Sequence, residues 1–266
     1  MAREIIDTTT DHGTYKGDPA KVAFEKANSN FAQLFDRASP VETITGLKMS
    51  RPTANSLTVS GGAAYVPGLN KIVVVPSPIT KSGIVVAAAT WLHGYLLETA
   101  GGASDVEWVT TAPAAAYSGT ARTKTGDTTR RYIGSVRSAG ANTIYKFDHV
   151  LADSSIVYLD NTAVSPFLLV AGGAATTATA VSAAAVAPVT ATSLKANIYN
   201  AASSSFVHIS NSAGPVAGVG YITLAGPNAN TSTSIQLDSS GQYTYAYESN
   251  PSSSSFQRMY GYVFER

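Results

Sequence analysis

From about residue 41 onward the apolar residues of this chain come in short parcels. Runs such as "SLTVSGGAAYVPG", "NKIVVVP", "TWLHGYLLET", "DVEWVTTAP", "RRYIGSVR" and "NTIYKFDHV" are rich in β-branched and aromatic side chains. Glycine or proline punctuates nearly every gap between them, which is the pattern of strands joined by tight turns. The longest apolar run, Gly83 to Leu92, has only about half the roughly 20 residues that a membrane-spanning helix needs. A chain written this way is expected to be mostly β, and no membrane insertion is expected of it.

One segment breaks the pattern. In "GDPAKVAFEKANSNFAQLFDR", Gly17 to Arg37, the residues Phe24, Ala27, Phe31 and Leu34 recur at spacings of three and four and form one apolar stripe. Asp18 suits an N-cap, Pro19 suits the first helical position, and Pro40 ends the pattern. The stripe spans barely two heptads, too little for a helix that is stable alone, so a partner surface is implied. Residues 1–17 are polar and lack periodicity, which predicts an extended arm; their early charges and missing apolar core do not fit a secretory signal.

The expected layout is therefore an N-terminal arm and short α-helix (1–40), an antiparallel β-domain (41–150) and a second β-domain (151–266). In the middle domain "KTGDT" reads as a hairpin tip. The third domain opens on "AGGAATTATAVSAAAVAPVTAT", whose composition suggests disorder or a weak helix, although Thr, Val and Pro188 oppose a continuous one. Strands then return, and Tyr260, Tyr262 and Phe264 alternate as if on one face. Some six short strands at this spacing predict a β-sandwich, jelly-roll-like.

Several chemistries are excluded or unsupported. The absence of cysteine removes disulfides and thiolate catalysis. The net charge of +1 gives no pull toward nucleic acid, and "ARTKTGDTTRR" reads as a hairpin with basic edge residues. His12, His93, His149 and His208 are isolated in sequence, so no metal and no cofactor is expected. Carboxylates such as Asp105, Glu107, Asp127, Asp153, Asp160 and Asp238 fall mostly in turns, without a motif for hydrolysis, and no enzyme is expected. The tyrosines stand out. Tyr243, Tyr245 and Tyr247 alternate on one strand and Tyr260 and Tyr262 on another, fitting a core, an interface or a platform for sugar rings.

Three stretches together resemble tail fibres and receptor-binding proteins of tailed bacteriophages. "GDPAKVAFEKANSNFAQLF" is similar to a segment G-D-x-x-x-x-A-F-x-K-x-N-x-N-F-x-x-L found near the N-termini of virion tail proteins, matched by Gly17, Asp18, Ala23, Phe24, Lys26, Asn28, Asn30, Phe31 and Leu34. "GGAAYVPGLNKIVVV", "TWLHGYL" and "TTAPAAAYSGTARTKTGDTTRRYIGSV" resemble a β-domain recurring in such fibres, and "ATTATAVSAAAVAPVTATSLKANIYN" resembles the start of their C-terminal domains.

The resemblance implies a virion location and a short, homotrimeric tail fibre. Residues 1–37 would contact other virion proteins, with Phe24, Ala27, Phe31 and Leu34 as the attachment and trimer seam. The C-terminal domain would bind a host-surface polysaccharide, with Trp108, Tyr243, Tyr245, Tyr247 and Tyr260 as candidate contacts. An adaptor, collar or head-decoration protein that grips only virion components is the alternative.

Overall fold

The computed structural model describes residues 6–14, 16–38, 41–211 and 222–266, and for residues 31–38 the backbone alone. The fold is mostly β, with one helix, Ala20–Ala38, and 21 strands among the described residues. Every strand pairing is antiparallel, as expected of a chain whose strands are joined by short turns.

The middle unit is built from three sheets. Two are small: Ile44–Gly46, Gly62–Val66 and Lys71–Val75 form one, and Met49–Ser50, Leu57–Val59 and Ile79–Lys81 the other. The third runs in the order Thr143–Ile144, Asp127–Gly140, Trp91–Glu98, Ser104–Val109, with Thr123–Lys124 pairing the long strand. Asp127 pairs with Lys124 across Thr125-Gly126, and Gly126 has φ 81°, so "KTGDT" is the expected hairpin tip. The strand Asp127–Gly140 is buried continuously from Arg131 to Ser138, because the small sheets cover one face and the C-terminal unit reaches the other.

The C-terminal unit is two facing antiparallel sheets, a sandwich. The larger runs Phe147–Val150, Ser155–Tyr158, Ser255–Phe264, Ala191–Asn200, Ala229–Gln236, with Leu168–Gly173 also pairing Ser255–Phe264. The smaller runs Thr179–Ser182, Gln242–Tyr247, Val207–Ser210, Ile222–Leu224. The C-terminal sheet begins at Phe147, ahead of the boundary expected at 150, because Phe147–Val150 pairs with Ser155–Tyr158. The alanine-rich passage is neither helix nor disordered. It forms strands Leu168–Gly173 and Thr179–Ser182 and then a turn that buries Ala183, Val186 and Ala187.

A β-bulge decides which residues of the strand Ser255–Phe264 face inward. Opposite Ala191–Asn200, Ala196 pairs with Met259 and Lys195 with Gly261, so Tyr260 has no partner. Before the bulge Ser255, Gln257 and Met259 are buried; after it Tyr262 and Phe264 are. Tyr260 is therefore not on the face of Tyr262 and Phe264, and the simple alternation read from sequence is corrected by one inserted residue.

The two β units share one hydrophobic core running from Leu47 and Met49 through Tyr132 and Ile133 to Tyr262 and Phe264. Tyr262 donates to the carbonyl of Ser135 at 2.6 Å, and the Met49 amide donates to His149 Nδ1 at 3.0 Å. Gly134 admits this contact: a Cβ there would lie 2.4 Å from Met49 Cε and 3.3 Å from the Phe264 ring. Unfolding of the β body is expected to be one cooperative transition by calorimetry. Tyr262→Phe, which leaves the buried Ser135 carbonyl without that donor, is expected to lower stability by about 1–2 kcal/mol in denaturant titrations.

Candidate functional site

Among the described residues of the expected arm, 6–14 and 16–17 fold back on themselves rather than run extended. Asp7 accepts hydrogen bonds from the Thr9 amide at 2.8 Å and the Thr10 amide at 3.1 Å. Gly17 and Asp18 close the loop, their amides donating to the carbonyls of Thr10 and Asp7. Asp18 does not cap the helix: among the described residues its carboxylate accepts from the Asp7 amide at 2.8 Å and from Lys26 Nζ at 2.7 Å. Gly17 has φ 77°, and a Cβ on it would stand 2.5 Å from the Asp7 carbonyl oxygen. Gly17, Asp18 and Lys26 thus make a latch that closes the loop just ahead of the helix. On the helix, Phe24 is 70% exposed and Ala27 partly buried. The side chains of Phe31 and Leu34, and Pro40, lie outside the described residues.

The tyrosines expected as ligand contacts mostly hold the sandwich together. Tyr243, Tyr245 and Tyr247 are buried between its sheets. Tyr243 donates to Gln257 Oε1 at 2.6 Å and Tyr247 to Asn200 Oδ1 at 2.8 Å, each bond crossing from one sheet to the other. Burial raises the Tyr243 phenol far above its ordinary range. These three cannot stack on a ligand, and the strand that carries them does so because its tyrosine face is the inner one. Trp108 is half-buried and lies across Gly94 of the paired strand, where a Cβ would stand 2.8 Å from its ring. It covers a glycine within the sheet.

Tyr260 alone of the C-terminal tyrosine candidates belongs to an outward face. By alternation it shares the outer side of the large sheet with Phe256 and Arg258, opposite Tyr199 and Asn197. The Tyr199 and Phe256 rings face each other at 6.2 Å and 33°, and Asn197 Nδ2 donates to Asn230 Oδ1 at 2.7 Å. Tyr199 and Phe256 were missed in sequence because "NIYN" and "SSFQR" carry one aromatic each; only the register brings them together.

A second candidate is a groove at the junction of the two β units. Trp91 and Arg122 line it from one side, and Val189, Gln236, Asp238 and Glu265 from the other. Arg122 and Glu265 form an ion pair at 2.5 Å. Asp238 Oδ1 accepts the amides of Ser240 at 2.8 Å and Gln242 at 2.9 Å, so this carboxylate also holds a turn. Trp91 sits at the start of "TWLHGYL", where the strand pattern marks it only as a core aromatic.

Behind the groove is a buried polar network. His93 Nδ1 and Ser135 Oγ are 2.7 Å apart, Ser135 Oγ and the Tyr132 hydroxyl 2.7 Å, and that hydroxyl and Thr190 Oγ1 2.8 Å. The Ser–His pair resembles a nucleophile and its base, but both residues are buried and the hydroxyl is held by Tyr132 as well. Arg131, read from sequence as a basic edge residue, is fully buried, its guanidinium donating to the carbonyls of Arg122, Tyr132 and Glu42. Among the described residues no three His, Asp or Glu side chains converge as a metal site.

No family model matches this chain, and no curated protein matches it.

The buried histidines give the fold a pH dependence. Desolvation lowers the His93 pKa to about 4 and the His149 pKa to about 3, while both rise to about 6.5 on unfolding. Below pH 6.5 the unfolded chain binds protons that the folded chain refuses. Stability is therefore complete above that pH and falls as the pH drops toward about 4 for His93 and about 3 for His149. Denaturant midpoints are expected to decline between pH 7 and 4.5. In His149→Asn, which keeps an acceptor for the Met49 amide, the decline is expected to be shallower.

Proposed function

We propose that this chain is a virion structural protein of a tailed bacteriophage, a short trimeric tail fibre that docks through its N-terminal module and binds a host-surface glycan with its C-terminal unit. The observation that carries the reading is the module. The residues of the tail-protein-like segment form a self-closed latch with a helix behind it, and the helix leaves Phe24 largely exposed. A short amphipathic helix with an exposed aromatic is unstable as a lone element and is suited to packing against copies of itself or a larger assembly.

The chemistry of the β body supports binding over catalysis. The Ser–His pair is sealed inside, and the groove carboxylates are engaged, one with Arg122 and one with a turn. Three linked copies would convert weak single-site affinity into avidity without further contacts.

Light scattering of the full-length protein is expected to give about three times the 27.5 kDa chain mass, the trimer that the resemblance to tail fibres implies. Phe24→Asp and deletion of residues 1–40 are expected to abolish the trimer and incorporation into particles, while circular dichroism shows the β body still folded. A deletion variant that still enters particles overturns the proposal.

A further inference from the structure

The groove at the junction of the two β units encloses about 650 Å³, within the roughly 300–1,000 Å³ of small-ligand pockets. Much of its lining is alanine, glycine, serine and proline, side chains too short to fill it. Its walls are fixed. Trp91 Nε1 donates to the Ala184 carbonyl at 3.0 Å, and the indole meets Tyr262 edge-on at 5.9 Å. Thr190, also in the lining, is tied at its hydroxyl to Tyr132. A cavity held by hydrogen bonds from both units is present before any ligand arrives, so little is lost in ordering it.

Its lining narrows the chemistry of an occupant. Trp91 and Val189, the latter 69% exposed, offer apolar surface that suits the C–H face of a pyranose ring. The polar groups are rich in acceptors: the carboxylates of Asp238 and Glu265 and the amide of Gln236. The cation in the lining, Arg122, is already paired with Glu265. The Arg122–Glu265 pair is compensated within itself, so Asp238 leaves the lining with one net negative charge, an unfavourable balance for an anion. Hydroxyl groups would instead donate to those carboxylates while a ring face rests on the indole.

We infer that this groove binds a neutral saccharide, with Trp91 and Val189 as the apolar contact and Gln236, Asp238 and Glu265 as hydrogen-bonding partners. The inference rests on the glycan-binding part of the proposed function and gives it a place: the junction of the β units rather than the outer sheet face of Tyr199, Phe256 and Tyr260.

The chain has two tryptophans, so Trp108→Phe leaves Trp91 as the only indole reporter. The full-length variant is titrated with neutral oligosaccharides of glucose, galactose, mannose and N-acetylglucosamine, and with oligogalacturonate as the anionic comparison. Calorimetry on the unsubstituted chain repeats each titration. A saturable response to at least one neutral sugar is expected, and none to oligogalacturonate. Val189→Arg and Gln236→Ala alter exposed side chains and leave the core intact; each is expected to weaken binding about tenfold or more, as loss of a packed contact or hydrogen bond does. Tyr199→Ala and Phe256→Ala are expected to leave it unchanged. Binding that survives Val189→Arg and Gln236→Ala but is lost in Tyr199→Ala overturns the groove and leaves the glycan-binding fibre standing. Preference for oligogalacturonate overturns the neutral class. No response to any sugar by either method overturns both the inference and the glycan-binding reading, while particle attachment remains a separate measurement.

Discussion

The strand Ser255–Phe264 is the constraint on which the rest of the β body depends. Leu168–Gly173 pairs along its first half, Ser155–Tyr158 along its second, and Ala191–Asn200 along its whole other edge. Gln257 meets Tyr243 of the smaller sheet, whereas Tyr262 and Phe264 enter the core of the middle unit. A single strand can serve both neighbours on one face only because Tyr260 is an inserted residue. Were the same residues to alternate without the bulge, a period of two would turn Tyr262 and Phe264 to the outside. The bulge therefore joins two units that would otherwise each need their own closed core.

Close backbone approach is the second recurring condition. A Cβ on Gly261 would stand 2.3 Å from the Ile156 carbonyl oxygen, beside the bulge. At Gly134 the space is taken by Met49 and Phe264. These glycines are where one layer touches another, and they explain why a chain rich in turn glycines also places some within strands.

The sequence made the architecture legible where local rules decide. Period-two runs and turn residues located the strands and the two-residue Thr125-Gly126 hairpin, and apolar residues at spacings of three and four located the helix that begins just after Pro19. What escaped depends on contacts between distant residues. Tyr243, Tyr245 and Tyr247 fit an inner or an outer face equally well until the facing sheet supplies Gln257 and Asn200 as hydroxyl partners. The stretch before the helix shows no periodicity, yet Asp7 and Asp18 fold its described residues, 6–14 and 16–18, through side-chain bonds that hydropathy does not register. Trp91 is far in the chain from Gln236 and Asp238, and only the packing of two units brings them to one groove.

The long range of the joining contacts also governs how such a chain comes to be folded. The Tyr262–Ser135 bond spans 127 residues and the Met49–His149 bond 100. Contacts of that span close slowly, since each must first overcome the entropy of a long loop. Until Ser255–Phe264 arrives, Ala191–Asn200 and Ser155–Tyr158 stand as open edges able to pair with the wrong chain. Damage to the bulge would thus be felt as aggregation and a lower yield of folded protein, in addition to the stability lost with the Tyr262 and Phe264 contacts.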